Sequence, residues 1–329
     1  MGRRVTSADV AERAGVSRAT VSYVLNDRPG QSIPEGTRRR VLAAAEELDY
    51  VPNHSARALR GKNAPVILLL TRALPFGRNL GDMTDTLTRL AGENGFTLVS
   101  LQAGSASSLE LTIAHLQPQL IITVTARTEE EQEVLERRGI PHFDGLETYA
   151  DLLGGERAAR MQVEHMLGAG CSRIAYLGAE DPVLETFEAE RRSGVEAALA
   201  EAGMPAPLEE ALPRMLTPEQ TAPLREVLRR WRAQSPPVDG VACYNDFWAA
   251  ALLQAARADG VDVPGELAVI GLDDEPMAAF LDPPLTTIDY DAAGLATVLF
   301  ARGMSRISPE RTGDEAPSPQ FRLVERGSV

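Results

Sequence analysis

From Pro65 onward the chain alternates short aliphatic runs with longer amphipathic stretches. The runs "VILLL", "FTLVSL", "LIITVT", "IPHF", "RIAYLG", "GVACY" and "LAVIGL" have the length and aliphatic content of buried parallel strands. Between them, "MTDTLTRLAGENG", "EEEQEVLERRG", "RAARMQVEHMLGAG", "RRSGVEAALAEAG" and "DFWAAALLQAARADG" carry helical spacing. The alternation predicts an α/β body of doubly wound parallel sheets. At roughly 260 residues it is expected to divide into two lobes, with a ligand bound at the carboxyl ends of the strands facing a cleft. "SPERTGDEAPSPQ" (308–320) reads as a loop before a last strand, "FRLVERG". No internal repeat and no heptad seam follows.

The first fifty residues follow a different pattern. Thr6 with Asp9 three residues on forms a capping-box start, Val10, Ala11 and Ala14 give an apolar face, and Gly15 ends the helix. Ser17 can cap a second helix to about Leu25, after which "NDRPGQ" breaks the chain. A third helix is expected from Glu35 to Leu48, with Val41, Leu42, Ala45 and Leu48 at 3.6-residue spacing. This is a helix-turn-helix with a supporting helix. In "YVPNHSARALRGK" (50–62), Pro52 suits a first helical turn, but so short a helix needs a partner to persist.

Charge sharpens the division. The chain of 329 residues has a net charge of −14, yet residues 1–62 carry eleven Arg or Lys against seven Asp or Glu, leaving 22 against 40 for the remainder. A basic head precedes an acidic body that repels phosphate, which confines nucleic-acid contact to the head. In a helix-turn-helix the second helix meets base edges with its N-terminal residues. Arg18 is placed for guanine, Ala19 for a thymine methyl and Tyr23 for a base or phosphate, while Thr20, Ser22 and Asn26 suit phosphate oxygens. Solvated polar residues on an ordinary two-helix corner are the plainer alternative.

Other chemistries have little support. Cys171 and Cys243 lie far apart, which points to packing rather than a disulfide or a zinc cluster. The polar N-terminus is no signal peptide and no apolar run spans a membrane, so a cytoplasmic protein without membrane partners is expected. "GAG" at 168–170 ends a helix instead of opening one, the reverse of a phosphate loop. The four histidines show no metal spacing, and neither GxSxG nor HExxH occurs. No enzyme, cofactor or metal is expected. A solute receptor fits better: Arg191 at the start of "RRSGVEAAL", Asn245 after "GVACY" and Asp273 after "LAVIGL" offer hydrogen-bonding groups at strand ends. Arg191 and Asp273 can equally pair with each other. Phe247 and Trp248 offer stacking faces or core.

"VTSADVAERAGVSRATVSYVLND" followed by "TRRRVLAAAEELDYVPNHSARALR" resembles the head of the lactose and purine repressor (LacI/GalR) family of bacterial transcription regulators. The likeness continues through "HMLGAGCSRIAYLG", "YNDFWAAALLQAARADGVDVPGELAVIGLDD" and "DPPLTTI" to "LVERGSV". It implies a helix-turn-helix head (1–50), a hinge helix and linker (51–64), and a two-lobed, periplasmic-binding-protein-like body (65–329) for effector binding and dimerisation. Arg18, Ala19 and Tyr23 fall on the family's base-reading positions, with Tyr23 where arginine is common. Ala56 and Leu59 fall on the hinge positions that enter the minor groove, Leu59 as the wedge that kinks the duplex. Ser7, Ser17, Thr37, Tyr50 and Asn53 complete the DNA-contacting candidates. Arg191, Asn245 and Asp273 match effector-contacting residues, and Asp144 is a further candidate from the first lobe. "RALPFGRNLGD" (72–82) replaces the usual Asn-Pro-Phe-Phe stretch, keeping Pro75 and Phe76, so Phe76 joins the effector set and the ligand class stays open. The implied protein is a homodimeric repressor on a pseudo-palindromic operator in the bacterial nucleoid, released by a small effector, with a sugar favoured. Alternatives are a cytosolic solute receptor, or a corepressor-dependent regulator answering a nucleobase or another metabolite.

Overall fold

The computed structural model describes residues 5–25, 33–48, 50, 65–71, 77–102, 104–213, 221–308 and 319–329. Two compact units divide the chain, Met1–Ala64 and Pro65–Val329. In the first, α1 (Ser7–Ala14), α2 (Arg18–Leu25) and α3 (Glu35–Glu47) enclose a small core of Val10, Ala11, Ala14, Val21, Val24, Val41 and Ala44. The Asp9 carboxylate accepts from the Thr6 backbone N–H at 2.7 Å, which fixes the start of α1. Gly15 ends the helix with φ +65°, a left-handed conformation that glycine adopts without strain. Ser17 Oγ then accepts from Thr20 N at 3.1 Å and caps α2.

The second unit holds two parallel sheets. The first lobe contains β1 (Val66–Thr71), α4 (Arg78–Glu93), β2 (Thr97–Gln102), α5 (Ala106–Leu116), β3 (Leu120–Thr123), α6 (Glu129–Arg138), β4 (His142–Asp144) and α7 (Gly145–Leu152), with strand order β2-β1-β3-β4. Leu68 pairs with Val99 on one side and Ile121 on the other. Along β1, Ile67 and Leu69 point into one core while Leu68 and Leu70 point into another, so both faces are covered and the strand reads as an unbroken apolar run.

The second lobe contains α8 (Gly155–Gly168), β5 (Ile174–Ala179), α9 (Glu185–Glu201), β6 (Leu208–Leu212), α10 (Ala222–Arg232), β7 (Gly240–Cys243), α11 (Asp246–Asp259) and β8 (Ala268–Ile270), with strand order β6-β5-β7-β8. A 3₁₀ turn (Pro276–Phe280) leads to β9 (Thr287–Tyr290) and α12 (Ala292–Ile307). Leu295, Ala296 and Leu299 of α12 share the first-lobe core with Met83 and Leu87 of α4. The chain then returns through β10 (Phe321–Val324), antiparallel to β9, and Ser328 closes on the second lobe by donating to the Val269 carbonyl at 2.6 Å.

Within the described residues the expected strands and helices recur within a few residues, whereas the short helix expected after Pro52 lies outside them, and "GAG" ends α8 with Gly170 at φ +97°. One boundary is corrected: Arg191 sits inside α9 rather than opening it, because the helix begins at Glu185. Cys243 is fully buried and Cys171 half-buried, both free thiols. Among the described residues no helix is long and apolar enough to cross a membrane.

Candidate functional site

A cavity of about 370 Å³ lies between the lobes at the carboxyl ends of their strands, where doubly wound sheets place ligands. Leu80, Met83, Val124 and Gly145 line it from the first lobe, with Leu295 and Leu299 of α12. Arg191, Tyr244, Asn245, Phe247, Asp273 and Glu275 line it from the second. The rings of Tyr149 and Phe187 meet edge-on across the cleft with centroids 5.4 Å apart, and Tyr290 stands 6.1 Å from Tyr149.

Three of the residues predicted from strand ends converge. Asn245 caps α11, accepting from Phe247 N at 3.0 Å through Oδ1, which leaves Nδ2 to donate to Asp273 Oδ2 at 3.3 Å. Arg191, 5 % exposed, donates from Nη2 to Asp273 Oδ1 at 3.4 Å and from Nη1 to the Tyr244 carbonyl at 2.6 Å. Its guanidinium carbon lies 4.3 Å from the centre of the Tyr244 ring. Arg191 and Asp273 thus pair, and both also face the cavity. Burial pushes the Asp273 carboxyl above its usual range, against the pull of Arg191. Burial by itself would lower the Arg191 pKa, but Tyr244 and Asp273 raise it overall, so the guanidinium stays charged.

The turn carrying Asp273 is strained. Asp273 and Asp274 have φ +106° and +46°, conformations that cost side-chain-bearing residues about 1–3 kcal/mol each. The surroundings hold them: Asp273 N donates to Ile288 O at 2.8 Å, Asp274 N to Thr287 Oγ1 at 3.4 Å, and Glu275 N to Asp246 Oδ2 at 2.6 Å. Asp246 is fully buried and also accepts from Thr287 Oγ1 at 2.5 Å. Burial pushes its pKa up to about 8, opposed by the Thr287 hydroxyl and assisted by the charge of Asp273. Gln162 of α8 is buried as well, donating to the carbonyls of Cys243 at 3.1 Å and Gly271 at 2.8 Å, and so fixes the ends of β7 and β8.

Phe247 lines the cavity, whereas Trp248 is core as much as wall, fully buried with its indole N–H donating to the Leu212 carbonyl at 3.1 Å. Asp144 is a correction. Its carboxylate caps α7 through Leu146 N at 2.9 Å and pairs at 2.9 Å with Arg127, just ahead of α6, and it is not among the residues that line the cavity. Phe76 lies outside the described residues. Sequence reasoning missed Arg78, Asn79, Asp246, Glu275 and Tyr149. Of these, Arg78 and Asn79 fall in the stretch that departs from the family pattern, and that departure was their one signal.

On the head, Arg18 and Ala19 are exposed at the start of α2, with Thr20, Ser22 and Tyr23 half-buried behind them. The hydroxyls of Ser17 and Thr20 lie 2.9 Å apart, and Arg40 donates to Thr37 Oγ1 at 3.5 Å. Tyr50 packs against the head core, and Ser7 is half-buried in the first turn of α1. Asn26, Asn53, Ala56 and Leu59 lie outside the described residues.

A short helix pair with an exposed arginine at the second N-terminus, followed by a two-lobed receptor body, is now matched by known proteins. Residues 6–53 fit the model of bacterial regulatory proteins of the lacI family, and residues 163–329 that of the periplasmic binding protein-like domain. The HTH-type transcriptional regulator GalR of Escherichia coli (strain K12) is 30% identical, over 98% of this chain and 95% of its own. The chain belongs to the LacI/GalR family of bacterial transcription regulators. Among solved structures, the lac repressor dimer bound to operator and the anti-inducer ONPF matches with a TM-score of 0.77 at 22% identity, covering 99% of each chain. The complex of the transcriptional regulator CelR with cellobiose matches with a TM-score of 0.66 at 23% identity, covering 99% of this chain and all of that one. Both establish the LacI fold. As a LacI/GalR regulator, this protein acts in transcription by binding DNA.

Proposed function

We propose that this regulator represses transcription as a homodimer on a pseudo-palindromic operator and lets go when a small sugar occupies the inter-lobe cavity. The observation that carries the ligand reading is the convergence of Arg191, Asn245 and Asp273 on one wall. A cation, an amide and an anion together offer donors and acceptors to vicinal hydroxyls, and their charges largely cancel, which suits a neutral polyol. Aromatic rings on the neighbouring walls offer faces to a sugar ring. The cellobiose complex of CelR supports the same class.

In this reading residues 1–50 read DNA, 51–64 form the hinge, and 65–329 bind effector and dimerise, in the bacterial cytoplasm. Arg18, Ala19 and Tyr23 meet base edges, and Thr20 and Ser22 face phosphates. Ligand and operator favour different conformations of the body, so each weakens the other by the same factor. No step of this mechanism needs catalysis.

The test is selection of bound sequences from a randomised duplex pool by the full-length chain, repeated with cellobiose, maltose or galactose added. An enriched palindrome that one of these sugars releases is expected. Enrichment only in the presence of a sugar makes the ligand a corepressor, and no enrichment under any condition overturns the reading.

A further inference from the structure

The first turn of α4 reaches across the cleft. Arg78 donates from Nε to the Asp274 carbonyl at 3.0 Å and from Nη2 to the Asp273 carbonyl at 3.4 Å, and Asn79 Nδ2 donates to the same Asp273 carbonyl at 3.0 Å. The Arg78 backbone N–H donates to Glu275 Oε1 at 3.0 Å. Arg78 also pairs with Asp289 of β9 and lies 3.7 Å from Asp274 Oδ2. Two consecutive residues of a first-lobe helix therefore hold three consecutive residues of the second lobe, among them both positive-φ aspartates.

We propose that Arg78 and Asn79 form a cross-lobe latch that holds the two sides of the cleft together and braces the turn that carries Asp273 in the cavity wall. Its bearing on ligand capture rests on the reading of Asp273 given above. Arginine suits the task because its planar fork reaches two carbonyls and a carboxylate at once, which a lysine point charge cannot do.

The latch works against a counterweight. With the lobes together, Asn79 Oδ1 is buried with no hydrogen-bond partner among the described residues. Asn79 lines the cavity. Turning the Asn79 amide over would set its oxygen against the Asp273 carbonyl, so this acceptor stays unpaired until a donor from a ligand, or water in an opened cleft, reaches it. Ionic and carbonyl bonds close the cleft while the unpaired amide oxygen of Asn79 favours its opening. Such opposition keeps the two states near enough in free energy for a small ligand to choose between them.

Hydrogen–deuterium exchange on the ligand-free full-length chain tests the latch, comparing wild type with Arg78→Met, Arg78→Lys and Asp289→Asn. The expected result for Arg78→Met is exchange faster by about ten-fold or more in peptides from both lobes, 77–83 and 273–280, with β1 and β5 unchanged. Arg78→Lys should restore only part of the protection, and the radius of gyration from small-angle scattering should rise with loss of protection. Should Arg78→Met fail to fold, Asp289→Asn, which takes away the charge facing the arginine but keeps an acceptor, gives the same comparison with a smaller acceleration. Unchanged exchange, or acceleration confined to 77–83, overturns the latch. Titration with cellobiose and maltose addresses the sugar reading alone: absence of binding counts against that reading and leaves the exchange result standing.

Discussion

Arg191 Nη2 stands 3.4 Å from Asp273 Oδ1, joining the middle of α9 to the turn after β8. The pair is largely shut off from solvent, with side-chain exposures of 6% and 18%. Arg191 also carries the Tyr244 carbonyl. Replacing it with methionine takes this donor from the Tyr244 carbonyl and the charge partner from the Asp273 carboxylate, which keeps the Asn245 amide. Breaking a buried pair costs about 3–5 kcal/mol, and the cavity-facing side of Asp273 can take up water, so about 3 kcal/mol is expected for Arg191→Met. Urea unfolding of the full chain measures it, and a change within experimental error would show that the pair adds nothing to the fold.

The close approach of α8 and α9 gives a second expectation. A Cβ built on Gly194 would lie 2.5 Å from the Glu156 carbonyl oxygen and 2.6 Å from its Cα. Backbone cannot yield as a side-chain tip can. Gly194→Ala gains about 1 kcal/mol of helix propensity but forces the helices apart, and overpacking costs about 1–3 kcal/mol or more. The net should be destabilising, with a Tm lower by a few degrees in calorimetry. A higher Tm would mean that α8 and α9 separate freely.

How far the chain could be read follows from the same physics. Strands buried on both faces, such as Val66–Thr71, announce themselves as apolar runs. Leu208–Leu212 does not: it is an edge strand with alternating exposed and half-buried positions, and "LEEAL" carries two glutamates. Helix α12 is apolar on most sides because it fills the first-lobe core, and its distance in sequence from that lobe hides the partner. Asn245 and Asp273 were visible as polar residues ending apolar runs. Arg78, Asn79 and Asp246 were not, because their roles depend on bonds to residues 29 to 211 positions away. Asp144 shows the opposite error, a carboxylate at a strand end that the local helix start and Arg127 consume.

On the head, Arg18 is exposed at the N-terminal end of α2. If it forks onto a guanine, Arg18→Ala should weaken specific binding by about 1–3 kcal/mol and relax preference at one base pair. Binding to random duplex should barely change. Fluorescence anisotropy on the selected duplex and a scrambled one separates the two effects, and equal loss on both would reassign Arg18 to a phosphate.

Asp246 gives a prediction in pH. It is fully buried, and its pKa rises from 3.8 in the open chain to about 8 in the fold, because burial disfavours the charge more than the Thr287 hydroxyl can offset. Between those two values the native chain keeps a proton that the unfolded chain has released. Stability from this group is therefore complete below about pH 4 and is lost as pH climbs toward 8, at a slope of up to about 1.4 kcal/mol per unit. Asp246→Asn cannot titrate, yet it keeps an oxygen for the Glu275 N–H and an amide for Thr287. The variant should lose stability relative to wild type, if at all, near pH 5, and gain on it steadily up to pH 8. Unfolding free energies of both chains across that range decide the matter. A constant difference would mean that Asp246 is ionised in the fold throughout, and the 273–275 turn would then be anchored by a buried charge rather than by a neutral carboxyl.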